Sequence, residues 1–310
     1  MLERNRIYMD LGGKRIIVTG SDGFVGSHLV PRLRQERAEV IPVDISKDID
    51  VIKWEHVKDY QDIDIIYHLA AKTYVPATAE DPRETYLVNF VGTLNMLELG
   101  RRSKIKRFIF ASSYVYGNPK YIPISEEHPI NPMNPYSRSK TLGEDVCRAY
   151  YEDYGLRCVI IRAFNVYGER QRDSFLVPSI LKQINNEEIE LEDPKPRRDF
   201  LYVKDLVEAY VRAAEYSGSD FEIFNIGSGV SYSVDEIVRT ILILSGKKAR
   251  VRYRRRRREK EVMETIANIE KAKKMLGWVP VTPLEQGLKT YIKWYQDKET
   301  VEQTNAMSPL

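Results

Sequence analysis

Tyr136 and Lys140 stand four residues apart in Pro135-Tyr136-Ser137-Arg138-Ser139-Lys140, at the start of a stretch that reads as a helix. At that spacing both side chains project from one face. A phenol is a poor base at neutral pH, with an ordinary pKa of about 10. A neighbouring ammonium stabilises phenolate and lowers that value, after which the phenol can take or return a hydroxyl proton. Spacing alone leaves the couple undecided, because Tyr and Lys meet this way on many helices by chance. Upstream, an apolar run ends in Ala111-Ser112-Ser113-Tyr114-Val115-Tyr116-Gly117. A hydroxyl at the carboxyl end of a parallel strand lies where open α/β sheets bind ligands. Ser112 is therefore the candidate to hydrogen-bond a reacting oxygen and relay its proton to Tyr136, although a serine there can also simply close a strand.

A third cluster is Thr19-Gly20-Ser21-Asp22-Gly23-Phe24-Val25-Gly26. Gly20, Gly23 and Gly26 at three-residue spacing allow a tight turn, close approach of backbone amides to a pyrophosphate, and close packing of helix on strand. The helix that follows offers N–H groups and the positive end of its dipole to phosphates. Glycine triplets alone are a weak signal; here a strand precedes and a helix follows. Asp44, at the end of the next strand, can accept from both hydroxyls of an adenosine ribose, and its charge disfavours a 2′-phosphate, so NAD is expected over NADP.

These residues need a scaffold of alternating strands and helices. Apolar runs at 15–19, 40–44, 63–67, 107–111 and 158–161 read as buried strands. Helical spacing appears over 24–34, 84–101 and 137–151. Such alternation implies right-handed crossovers and a parallel sheet covered on both faces. Beyond Asn165 the pattern loosens, with short strands expected at 188–191 and 221–225. Helices are expected near 176–183, 205–216, 234–244, 269–276 and 284–295. The expected fold class is α/β, a Rossmann-type doubly wound parallel sheet with a smaller C-terminal α/β substrate domain. Residues 13–165 with about 199–228 are expected to form the first domain and about 166–198 with 229–298 the second. Residues 299–310 read as a frayed tail.

The chain has 310 residues, with 48 basic and 45 acidic residues and a net charge of +3. That balance gives no global drive toward nucleic acid. Cys147 and Cys158 cannot form a disulfide framework and have no metal-ligand spacing, which fits a reducing cytosol and no metal. The polar opening resembles no signal peptide, and no run approaches the roughly 20 apolar residues that span a bilayer. A soluble, cytoplasmic protein is expected.

With glycine turn, serine and Tyr-x-x-x-Lys in chain order, the sequence resembles the extended short-chain dehydrogenase/reductase family, and within it the nucleotide-sugar epimerases. The supporting pieces include TGSDGFVGSHL from Thr19, HLAA from His68, NFVGTLNMLE from Asn89 and SSYVYG from Ser112. PYSRSK from Pro135, FNVYGERQ from Phe164, RRDFLYVKDL from Arg197, FNIGSG from Phe224 and KKMLGWVP from Lys273 complete the series. The resemblance implies NAD in the glycine turn, with Phe24 and Val25 part of that turn. It also implies Asp48 and Ile49 near the adenine, Ala70, Ala71 and Lys72 along the cofactor, and Asn89 supporting that region. It implies a nucleoside-diphosphate sugar as substrate, its diphosphate contacted by Asn165 and Arg198, and a homodimer through helices about 84–101 and 137–153. The apolar stripes of those helices can equally face the core.

Two departures from the family pattern bear on the chemistry. Dehydratases and decarboxylases of this kind carry an acidic residue immediately before Val-Tyr-Gly, where this chain has Ser113 and Tyr114. That favours epimerisation through a transient 4-keto sugar, most simply of a UDP-hexose, with an NAD(P)-dependent nucleotide-4-ketosugar reductase as the alternative and a 4,6-dehydratase behind it. The second departure is the run Arg254–Arg258, followed by Glu259-Lys260-Glu261 where relatives carry Pro-Gly-acidic. Arg258 matches the arginine expected on the substrate phosphates, and the other arginines are expected to be solvated.

Overall fold

A computed structural model describes residues 9–254 and 261–307. In chain order the first half comprises β1 (Arg15–Thr19), α1 (Gly26–Gln35), β2 (Glu39–Val43), α2 (Trp54–Val57), β3 (Ile65–His68), α3 (Val75–Glu80), α4 (Pro82–Tyr86), α5 (Gly92–Arg102), β4 (Arg107–Ser113) and α6 (Pro135–Tyr154). There follow β5 (Cys158–Ala163), β6 (Asn165–Tyr167), α7 (Leu176–Gln183), β7 (Glu188–Leu191), β8 (Arg197–Tyr202) and α8 (Val203–Glu215). The last elements are β9 (Phe221–Ile226), β10 (Ser231–Ser233), α9 (Val234–Ser245), β11 (Arg250–Tyr253), α10 (Glu270–Leu276) and α11 (Leu284–Met307).

Six strands form one parallel sheet in the order β2-β1-β3-β4-β5-β9. Strand order reverses between β1 and β3, and the crevice outside the carboxyl ends at such a switch point is where ligands bind. One face is covered by α1, α8 and α10 around Leu29, Leu33, Tyr67, Ile109 and Tyr210. The other is covered by α5 and α6 around Met96, Leu97, Phe108, Phe110 and Cys147. Strand parity makes the division: Phe108 and Phe110 face one layer and Ile109 the other. A second core, around Ile180, Ile189, Tyr202, Ile241 and Leu288, joins α7, α9 and α11 to a three-stranded sheet β10-β8-β6 and a parallel pair β11-β7.

The acidic residues of the RRDF and VKDL stretches are pins between segments. Asp199, buried on β8, accepts from the backbone N–H groups of Ser228 (2.6 Å), Gly229 (2.9 Å) and Ala267 (3.0 Å) and from the Ser228 hydroxyl. Asp205 accepts from Thr282, while its carbonyl takes the Trp278 indole N–H at 2.9 Å.

Two expected elements differ. The helix expected over 84–101 is α4 and α5 joined by a π-helical turn, Leu87–Val91, which carries the buried Asn89. The tail expected to fray from 299 continues as α11 to Met307, and residues 308–310 lie outside those described. Its Glu, Gln, Ala and Met residues are good helix formers that extend a helix already packed at Leu288 and Tyr291. Among the described residues no helix is long and apolar enough to cross a membrane, no acidic or His/Cys cluster is arranged to hold a metal, and both cysteines are free and buried.

A buried ion pair holds α6 on the sheet. Arg162 Nη2 donates to Glu144 Oε2 at 2.6 Å with both side chains almost fully buried, and Arg162 also donates to the Tyr116 hydroxyl at 2.9 Å. Removing one partner of such a pair leaves an uncompensated charge, whereas replacing both by apolar groups is far milder. Glu144→Ala is therefore expected to lower unfolding free energy by about 3–5 kcal/mol in urea denaturation, and Glu144→Leu combined with Arg162→Met to recover much of it. A double variant as unstable as the single would show that the charges themselves are not the cause.

Candidate active site

The glycine turn joins β1 to α1 at the switch point. Gly20 adopts a left-handed φ of 66°, and a side chain there would lie 2.9 Å from the Ala70 nitrogen at the end of β3. A Cβ on Gly26 would stand 2.1 Å from the Gly20 carbonyl oxygen, so only glycine lets α1 begin this close to the turn. The start of α1 has no side-chain cap and no acidic residue in its first turn, a helix end suited to an anion. These features fit a dinucleotide diphosphate. The Phe24 and Val25 side chains turn away into the second and first cores, so only their backbone faces the turn. Half-buried Asp44, expected at the adenosine ribose, follows β2 and caps a single 3-10 turn, Ile45–Lys47. Asp48 ends that turn, exposed, with a left-handed φ of 60°, and half-buried Ile49 packs on the core beneath.

Below the turn runs a buried polar thread. The Thr19 hydroxyl accepts from the backbone N–H groups of Leu69 and Ala70, each at 3.1 Å, so its own proton goes to His68 Nδ1, 2.8 Å away. The imidazole proton must then sit on Nε2, which donates to Thr93 Oγ1 at 3.0 Å. Thr93 in turn donates to the Asn89 carbonyl at 2.6 Å. This tautomer follows from the donor count of the network. The Asn89 amide closes the circuit: it accepts from Lys72 N (2.7 Å) and donates to Lys72 O (3.0 Å) and Ser139 Oγ (2.8 Å). Ser139 donates to the Tyr136 carbonyl at 2.7 Å. Asn89 thus clamps the Ala70-Ala71-Lys72 strand exit to the helix bearing Tyr136 and Lys140. The Lys72 ammonium itself pairs with Glu84 at 2.9 Å.

Local sequence sets where α6 begins. Asn134 caps it by accepting from Ser137 N at 2.8 Å, Ser137 Oγ reciprocates toward Asn134 N, and Pro135 occupies the first turn. Tyr136 and Lys140 follow on one face. Lys140 is buried, with Nζ 5.0 Å from the centre of the Phe110 ring. Burial lowers its pKa to about 8, opposed by Cys147 and Glu144. Partial burial raises the Tyr136 phenol above its ordinary value, and Ser113, the hydroxyl facing it, pulls the other way.

The serine also needs correction. Ser112, expected to relay a proton to Tyr136, is buried on the Phe110 side of β4 and donates to Glu144 Oε1. In register it lies beside Arg162, as Ser113 lies beside Ala163. Consecutive strand residues point to opposite faces, and parity therefore turns Ser113 toward Tyr136. Tyr114, at the position where related dehydratases and decarboxylases carry an acid, donates to the Gly117 carbonyl at 2.6 Å and packs on Tyr116 and Phe164. Burial pushes its pKa well up, so it offers no carboxylate and no ready base.

Asn165, expected on the substrate diphosphate, opens β6 and is exposed. Arg198 on β8 pairs with Glu261 and donates to the Arg197 carbonyl at 2.9 Å. The structure therefore does not leave it open to a phosphate: Glu261 already balances its charge. Arg254 pairs with Glu190 on β7. Arg258 lies outside the described residues. The residues missed in the sequence, Ser113, Thr19, His68, Thr93 and Ser139, sit inside quoted motifs; strand parity was the available signal for Ser113, and nothing local marked the thread.

Residues 16–227 match the family model described as the NAD dependent epimerase/dehydratase family. A putative UDP-glucose 4-epimerase of Methanocaldococcus jannaschii is 34% identical over 307 residues, covering 91% of this chain and 98% of that protein. UDP-glucuronic acid decarboxylase 1 of Xenopus tropicalis is 32% identical over 316 residues, covering 94% of this chain and 74% of that protein. Among solved structures, the UDP-glucose 4-epimerase of Thermotoga maritima with UDP-glucose superposes with a TM-score of 0.85 at 28% identity, covering 92% of this chain and 99% of that one.

His68 supplies a pH test of the thread. Burial, aided by the Lys140 charge, lowers its pKa from 6.5 to about 3. Between those values the unfolded chain binds a proton that the folded chain refuses, so this contribution to stability is whole above pH 6.5 and is lost as pH falls toward 3. The fall amounts to about 1.4 kcal/mol per pH unit. His68→Asn is expected to unfold at a lower denaturant concentration at pH 7 but to show a shallower acid slope by about that amount. Equal slopes from pH 6 to 4.5 would mean that His68 is already charged in the fold.

Proposed function

The chain belongs to the NAD dependent epimerase/dehydratase family, and on that footing we propose that it is an NAD-dependent nucleotide-sugar 4-epimerase acting on a UDP-hexose. The observation that carries this reading is the Tyr136 phenol facing Ser113, beside a Tyr114 that has no carboxylate to offer. The 4-epimerase named above and the one solved with UDP-glucose support it; the decarboxylase relative is the chemistry that Tyr114 argues against.

Bound in the glycine turn, NAD would accept and return hydride and bring positive charge beside the phenol. Tyr136 is the proposed base that removes the C4 hydroxyl proton and later returns it. Lys140, one helical turn along, is the cation that favours phenolate on the same face. Ser113 holds the C4 oxygen as it becomes a carbonyl. Asp44 accepts from the adenosine ribose, and Gly20, Gly23, Phe24, Val25 and Gly26 present backbone to the diphosphate. The 4-keto sugar would then have to rotate about its diphosphate linkage, so that hydride could return to the other face of C4 while Tyr136 gives the proton back to the C4 oxygen. Asn165 and Arg198 are the proposed anchors for that diphosphate, and the substrate must share or displace Glu261 to reach Arg198. The proposed location of this chemistry is the cytoplasm, and the proposed assembly is a homodimer through α5 and α6. On α6 Leu142 is 41% exposed, an apolar residue on a face that a second copy would cover.

Purified protein incubated with UDP-glucose or UDP-galactose, without added cofactor, is expected to interconvert them. Turnover that appears only with a 4-keto sugar and consumes reduced cofactor would instead mark a reductase. Tyr136→Phe and Ser113→Ala should each reduce kcat by about 10²–10⁴, while Ser112→Ala acts mainly on thermal stability. If Ser112→Ala loses activity and Ser113→Ala keeps it, the serine assignment reverses. Leu142→Asp is expected to yield a monomer by light scattering, and an unchanged mass would place any dimer contact elsewhere.

A further inference from the structure

The glycine turn and the turn after β2 are closed into a ring by one acidic side chain, Asp22. Its backbone N–H donates to Asp44 Oδ2 at 3.0 Å, and Ser46 N donates to Asp44 Oδ1 at 3.0 Å. The Ser46 hydroxyl returns the contact, donating to Asp22 Oδ2 at 2.6 Å, and the Lys47 ammonium binds the same oxygen. Asp44 has spent one lone pair on each oxygen and keeps others, so it can still accept from ribose hydroxyls. Asp22 has a different occupation: its charge is spent on Lys47 and Ser46. Both groups hold its carboxyl below the usual range.

We infer that Asp22 makes this site discriminate against a 2′-phosphate, by occupying the ammonium and hydroxyl beside Asp44 that a phosphate would need. The inference rests on the reading that the turn holds a nicotinamide dinucleotide. A 2′-hydroxyl asks for an acceptor, which Asp44 supplies. A 2′-phosphate arrives with negative charge and only acceptors, and asks for a cation and donors. Among the contacting groups Asp22 and Asp44 carry −1 each and Lys47 +1, leaving −1 where that phosphate would sit. Neutralising Asp22 brings the corner to zero and releases its charge-held grip on Lys47. An ion pair this exposed contributes little to stability, so its consequence is expected in selectivity rather than folding. Discrimination is thus shared: Asp44 repels the phosphate, and Asp22 withholds the groups that would compensate.

The test is binding of NAD+ and NADP+ to cofactor-stripped protein by titration calorimetry. The unaltered chain is expected to prefer NAD+. Asp22→Asn, which keeps the shape and an acceptor for Ser46, should move the preference toward NADP+ by about tenfold, the scale of one charge-assisted contact. Adding Lys47→Ala should reverse that move, and raising salt should shrink it. Asp22→Ser provides a second neutral replacement should the first misfold. An unchanged preference in folded Asp22→Asn and Asp22→Ser, or a gain that survives Lys47→Ala, overturns the inference while leaving the cofactor reading intact. Failure of the unaltered chain to bind either dinucleotide sinks that reading and the inference with it.

Discussion

A neutral imidazole, His68, joins the two strands between which the sheet reverses its order. Thr19 ends β1 and His68 ends β3, in register with each other, and the hydrogen bond between them fixes how far the strand ends can part. Because Thr19 also receives two backbone N–H groups, its proton has only one direction to go, and the sense of every later bond follows. Buried networks of this kind are stable only when every member is satisfied. Through Thr93 and Asn89 the same network reaches the helix that carries Tyr136. The glycine turn and the reacting face therefore share one rigid support, although they are more than a hundred residues apart in the chain.

The second constraint is electrostatic and lies under the same helix. Glu144 and Arg162 are paired away from water, and Lys140 is buried one turn before Glu144 with a depressed pKa. An ammonium in that position is held in reserve, costly where it sits and favourable beside an anion. Burial meanwhile keeps the phenol of Tyr136 protonated. Under the proposed function, activation of the couple depends on the charges that ligands bring, which ties proton transfer to an occupied site. Ser112 belongs to this support and Ser113 to the reacting face, a division made by the alternation of a single strand.

Near both proposed ligand sites, positive groups come already paired with carboxylates. Arg198 on β8 is paired with Glu261, and Lys47 in the turn after β2 with Asp22. An anion that is to reach either cation must first displace its carboxylate partner.

Much was legible in the sequence because it depends on local rules. Glycine at 20 and 26 and the hydrophobic periods of the strands and helices are written in neighbouring residues, since backbone sterics and side-chain period act over a few positions. The Tyr136/Lys140 couple and the acidic Asp44 could be read for the same reason. What the tertiary structure alone decided were pairings across long separations: Ser112 with Glu144, His68 with Thr19 and Thr93, Asn89 with Ser139, and Arg198 with Glu261. A side chain's type is set where it stands in the chain, but its partner depends on which segments the packed core brings together. For that reason the residue types of the candidate site can be read along the chain, whereas the fold decides which serine faces the phenol and which charges are already taken.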